Sequence, residues 1–198
     1  MNDDSKHRPP WSMVDECSDA LFVLGKMPAA VETLVRIANQ LTATLLHGGV
    51  LYFCGNGGSA ADAQHVAAEF VGRFLLERRP LPAVALTTNT SILTAIGNDY
   101  EYSEVFSRQV RALVKPGDCV TGISTSGRSK NVLLALEVAK EIGAVTIGFT
   151  GGSGLPLRDL CDDCFVAESS STPRIQECHL LAWHLICNMV EQRVVSEG

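Results

Sequence analysis

The chain has 198 residues, 46% of them hydrophobic, and a formal net charge of −6, which suits one globular domain with a sizeable core. With no basic run to offset it, the acidic balance argues against nucleic acid as the main partner. Every apolar run falls short of the roughly 20 residues needed to cross a bilayer, so no membrane segment is expected.

Residues 1–10 are polar and include Pro9 and Pro10; they read as a flexible lead-in to a single domain over residues 11–198. They lack an apolar stretch behind a basic start, as export requires, and the expected location is the cytoplasm. The seven cysteines are odd in number, and Cys54, Cys119, Cys178 and Cys187 fall in core-like segments, which suits reduced thiols rather than a disulfide framework. Cys161 and Cys164 have CxxC spacing without redox-type flanks and are given a structural role.

Between Trp11 and Leu46 apolar residues recur at helical spacing, with a break near 25–28, predicting two helices. From Gly49 onward, strands are expected near 50–54, 82–86, 118–123, 144–149 and 163–166, alternating with helices near 59–76, 91–112, 129–142 and 154–160. Such alternation predicts an α/β fold, a three-layer sandwich around a five-stranded parallel sheet. Arg78, Arg79 and Pro80 read as a solvated helix exit. A last helix over 172–195 carries Ile175, Leu180, Leu181, Trp183, Leu185, Ile186, Met189 and Val190 around most of its circumference. A helix apolar on most sides is buried on most sides, so it is expected, with the N-terminal helices, to form the contact between subunits.

In an open α/β sheet ligands bind beyond the carboxyl ends of the strands, and two of the loops there are unusual. Gly55, Asn56, Gly57 and Gly58 follow the first strand and lead into a helix whose cap would be Ser59. Glycines let backbone approach a ligand, and a helix start offers N–H groups. A loose dinucleotide fingerprint (Gly55, Gly57, Ala60) lacks its acidic partner, because Leu86 is followed by Thr87, Thr88 and Asn89. The second loop, Ser124-Thr125-Ser126-Gly127-Arg128-Ser129, sets four hydroxyls and a glycine before a helix start and suits a monophosphate without any net positive charge. Serines that merely cap and turn are the plainer reading, which this density of hydroxyls outweighs.

His65 and Glu69 lie four residues apart on one helical face, either as a surface ion pair or as a metal or acid–base pair close to the glycine loop. The final helix adds Gln176, Glu177, His179 and His184, polar groups that need partners if the helix is buried. Helical spacing does not choose between the two histidines.

The stretches CGNGGSAADAQHVAAEFVGRF, LTAIGNDYEYSEVFSRQV, GDCVTGISTSGRSKNV and RIQECHLLAWH resemble the sugar isomerase (SIS) domain family and, within it, the phosphoheptose isomerases. The resemblance runs from about residue 49 to 190. It implies a homotetramer with sites at subunit interfaces and one zinc ion per subunit held by His65, Glu69, Gln176 and His184. Substrate contacts would be Asn56, Gly57, Gly58, Glu69, Asn98, Asp99, Ser124, Thr125, Ser126, Ser129 and Gln176. The implied reaction converts sedoheptulose 7-phosphate to D-glycero-D-manno-heptose 7-phosphate, the first step toward a nucleotide-activated heptose. Glu69 would be the base and His184 the partner acid/base. A non-catalytic relative of the same fold, a regulatory protein that binds the replication initiator, typically lacks the equivalents of Gly58, Glu69 and His184, all present here. Two positions depart from the family pattern: Arg128, where Asn is frequent, and Pro173, where Asp or Ala is usual.

Overall fold

The computed structural model describes residues 28–197. The flexible lead-in and the first of the two expected N-terminal helices lie outside the described residues. The second is α1, Pro28–Leu46. Then follow β1 (Leu51–Gly55), α2 (Gly58–Val71), β2 (Ala83–Ala85), α3 (Thr90–Asp99), a 3₁₀ turn (Tyr102–Glu104) and α4 (Ser107–Leu113). The chain continues through β3 (Cys119–Ser124), α5 (Lys130–Ile142), β4 (Val145–Gly151), α6 (Leu157–Leu160), β5 (Asp163–Ala167) and α7 (Thr172–Glu197).

All pairings are parallel, and the strand order is β2-β1-β3-β4-β5. The chain therefore leaves β1 toward one edge and returns on its other side, making β1/β3 the switch point where ligand crevices open. Register fixes what meets there. Gly55 pairs with Ile123, so Asn56 and Ser124 emerge side by side.

Alternation along the strands supplies two cores. Phe53, Ile123 and Phe149 face α1, α2 and α7, joining Leu34, Ile37, Leu41, Phe70, Trp183 and Ile186. Tyr52, Cys54 and Val120 face the other way, against Phe106, Val110, Val132 and Leu136. Trp183 stacks on Phe149 at 4.2 Å and meets Phe53 edge-on at 5.5 Å, anchoring α7 across the sheet centre. Among the described residues no cysteine pair forms a disulfide. Burial pushes the Cys54 and Cys119 thiols up to about 12, consistent with inert core residues.

Three expected helices differ. The one near 91–112 is broken: Asn89 caps α3 by accepting from the Ile92 N–H at 3.0 Å, and the weak helix formers Gly97, Asn98 and Asp99 end it. The chain restarts at α4, where the buried Gln109 amide donates to the Leu86 and Val105 carbonyls at 3.0 and 2.7 Å. The one near 59–76 starts at Gly58, capped by Gly57 rather than Ser59, and stops at Val71 with Gly72 as its C-cap. Near 154–160 only Leu157–Leu160 is helical. No helix of the described residues is long and apolar enough to cross a membrane.

Candidate active site

The glycine loop owes its shape to two glycines. Gly57 has φ +56°, a left-handed conformation that favours glycine. At Gly58 a Cβ would run into the side-chain amide of Gln176. That overlap places Gln176, from the first turns of α7, directly over the start of α2.

Asn56 is held rigidly from the opposite side. Its amide exchanges a reciprocal pair of hydrogen bonds with Asn131, at 2.9 and 2.8 Å, and its Oδ1 also accepts from the Tyr102 hydroxyl at 3.2 Å. Asn131 sits in the first turn of α5, so this pair ties the glycine loop to the serine loop. Neither Asn131 nor Tyr102 was anticipated from the sequence. Their signal lay in the quoted motifs, but nothing local tells a bridging Asn from an ordinary helical one.

In the serine loop, Ser124 donates to Ser129 at 2.9 Å and the Arg128 N–H donates to Ser126 Oγ at 3.2 Å. Gly127 has φ +68°, and a Cβ there would meet Thr150 Oγ1 at 2.9 Å, so the turn requires glycine twice over. Ser129 makes no side-chain cap bond to α5, and Gly57 makes none to α2. Two helix starts thus face the switch point without side-chain caps, a favourable place for an anion. A cavity of about 260 Å³ opens beside the serine loop, lined by Thr125, Ser126, Arg128, Gly152, Ser153, Ser169, Ser170, Thr172 and Ile175 among others. Arg128 therefore faces the region where a phosphate is expected, and Pro173 occupies the first turn of α7 beside it. Asn98 and Asp99 end α3 on the surface, bonded to each other at 2.8 Å.

Farther along α2, where α7 packs against it, a second group assembles. His65 Nε2 lies 3.1 Å from His184 Nε2 and 3.4 Å from Glu69 Oε1. Gln176 meets α2 at Gly58 and His184 meets it at His65, so the helices run parallel. The eight-position step from Gln176 to His184 separates them by about 12 Å along the axis. The structure does not bring Gln176 to the His65–Glu69–His184 group within one chain. Glu69 and His184 both approach His65 of their own chain, so one chain supplies all three groups.

Among the described residues there is no ready-made cluster of three or more His, Cys, Asp or Glu poised to hold a metal; the two contacts above share His65 as their middle member. The donor types nevertheless suit zinc, and separations of 3.1 and 3.4 Å are close to the edge of about 3.3 Å in a tetrahedron with bonds near 2.0–2.1 Å. One turn before His65, the Asp62 carboxyl is held above its usual range by burial, against the pull of His65.

His179 has a different role from His184. It is fully buried, its Nε2 donates to the Thr150 carbonyl at 3.0 Å, and its ring lies edge-on to Phe149 at 5.6 Å. Burial lowers its pKa to about 4, so it stays neutral where the unfolded chain takes up a proton. Stability should accordingly fall as pH drops from about 6.5 toward 4, by about 3 kcal/mol in total from this residue. Thermal melts across that range should show a shallower decline for His179→Gln than for the parent. Equal slopes would refute the assignment.

Arg78 overturns the expectation of a solvated helix exit. Its side chain is 3% exposed and its Nε lies 3.1 Å from Glu191, itself 1% exposed. The guanidinium donates to the carbonyls of Glu69, Phe70, Gly72 and Arg79, which is why α2 ends where it does.

The comparisons with known proteins agree with this architecture. The SIS domain family model matches residues 24–151. A phosphoheptose isomerase of Roseiflexus sp. (strain RS-1) is 50% identical over 100% of both chains. The solved structure of a phosphoheptose isomerase from Neisseria gonorrhoeae superposes with a TM-score of 0.85 at 42% identity, covering 92% of this chain and 96% of that one. One from Francisella tularensis gives 0.86 at 35% identity, covering 91% and 95%. These likenesses define a sugar isomerase domain first. At that identity and coverage, the chain belongs to the phosphoheptose isomerase family within it.

Proposed function

We propose that the chain interconverts sedoheptulose 7-phosphate and D-glycero-D-manno-heptose 7-phosphate by proton transfer through an enediol. Membership of the family makes it an aldose–ketose isomerase. The observation that carries the reading is the pairing of a hydroxyl-rich anion cradle at the N-termini of α2 and α5 with a His65–Glu69–His184 group on α2 and α7. In this substrate class the phosphate and the reacting carbons lie at opposite ends, and the site offers matching chemistry at separate levels.

Glu69 takes the proton from the carbon beside the carbonyl and returns it to the former carbonyl carbon, while His184 gives a proton to the carbonyl oxygen and accepts one from the neighbouring hydroxyl. Gln176, over Gly58, contacts the substrate. Zinc, where bound, would be held by His65, Glu69 and His184 and would supply charge stabilisation to the enediol oxygens. The regulatory reading has no support in the comparisons. We further propose that the chain acts as a homotetramer in the cytoplasm. Val71, Leu75, Leu76 and Leu185, all exposed in the single chain, stand within two residues of Glu69, Phe74 or His184 along the chain and would be covered by a second copy. Native mass measurement tests this.

The direct test of the reaction is product analysis by NMR with sedoheptulose 7-phosphate; absence of an aldose product would refute it. Ser126→Ala with Ser129→Ala should raise KM by about tenfold or more, with some loss of turnover, because phosphate binding energy also positions the reacting end. Unchanged KM and kcat would place the phosphate elsewhere.

A further inference from the structure

The residues between α2 and β2 form a strap rather than a loose connection. The N–H groups of Phe74, Leu75 and Leu76 all donate to the Glu191 carboxylate, at 2.9, 2.7 and 2.8 Å. Burial alone would raise that carboxyl, but the three N–H donors and the Arg78 guanidinium outweigh it and hold it below its usual range. Arg78 then reaches back to α2, donating to the Glu69 carbonyl at 2.7 Å.

Glu191 stands seven residues after His184, two helical turns along nearly the same face of α7. The strap it pins also carries Phe74, whose ring stacks on the His184 imidazole with centroids 5.6 Å apart and planes 28° apart. The contacts close a ring: Glu69 backbone, Arg78, Glu191, α7, His184, His65 and back along α2 to Glu69.

We propose that the buried Arg78–Glu191 pair is the positioning couple of the active site, locking the end of α2 and the strap onto α7 and so fixing Glu69 and the His184 imidazole relative to each other. The proposal rests on the reading of those two residues as the proton-transferring pair. A buried ion pair is not in itself an efficient stabiliser, since apolar residues of similar volume often serve as well or better. Apolar residues, however, cannot gather three strap N–H groups and the helix-end carbonyls at once. Lysine cannot replace the arginine either, because a point charge lacks the planar fork that serves several carbonyls.

The test compares the parent with Glu191→Gln and Arg78→Lys in protein labelled with ¹⁵N-histidine. Thermal unfolding, kcat, KM and the His184 imidazole resonances are read together. In the folded variants kcat should fall by about 10- to 100-fold, the cost of a small misplacement, with KM within about twofold, and the His184 resonances should shift or broaden. Should Glu191→Gln fail to fold, Glu191→Asp keeps the charge while withdrawing the carboxylate by one methylene, and is read the same way. Folded variants with a lower melting temperature but unmoved His184 resonances would overturn the proposal, leaving the pair a purely structural brace. Glu69→Gln measured alongside separates the two ideas. Normal turnover there would remove the proposed base, while the imidazole resonances would still report whether the couple places His184.

Discussion

Glu69→Gln should lose isomerisation by on the order of 10² or more while keeping its fold, because the amide has the shape of the carboxylate but cannot accept the substrate proton. The structure makes this a clean substitution. The Glu69 side chain is 22% exposed and, among the described residues, its ion pair is the 3.4 Å approach to His65, so no buried cation is stranded there when it becomes neutral. The backbone carbonyl of Glu69, which Arg78 grips, is untouched. A variant that folds normally and turns over sedoheptulose 7-phosphate at the parental rate would remove Glu69 from the role of base. Solvent-hydrogen exchange at the carbon beside the carbonyl gives a second reading, since it should fall together with turnover.

The parallel sheet was legible because apolar runs alternating with helical stretches leave few other arrangements, and both ligand loops were legible because glycine and serine are dense exactly after strands β1 and β3. Less visible were the places where tertiary contacts override local pattern. Arg78 beside Arg79 and Pro80 looks like a surface exit until Glu191, more than a hundred residues later, takes it into the interior. The continuous helical pattern near 91–112 hides the break that turns Tyr102 toward Asn56. His179 and His184 could not be told apart by spacing, since what separates them is which side of α7 faces the sheet; the Thr150 carbonyl claims one and His65 meets the other. Of the site residues implied by resemblance, His65, Glu69 and His184 gather in one group, whereas Gln176 stands over the glycine loop.

His184→Ala should be as damaging as the loss of the base, again on the order of 10² or more, because it removes the acid/base partner. The two dead proteins also distinguish a site built within one chain from one built between chains. If Glu69 and His184 came from different subunits, random reassembly of an equal mixture would restore about a quarter of the sites, since half the chains supply each intact residue. The structure points the other way: the His65–His184 contact at 3.1 Å and the His65–Glu69 contact at 3.4 Å lie within a single chain. Each variant chain therefore carries its own defect into every oligomer. Mixtures of Glu69→Gln and His184→Ala, dissociated, reassembled and verified as hybrids by native mass, should remain as inactive as either parent. Recovery toward a quarter of full activity would show that a neighbouring copy delivers one of the two groups, and that α2 and α7 of the same chain do not meet at a shared reacting centre.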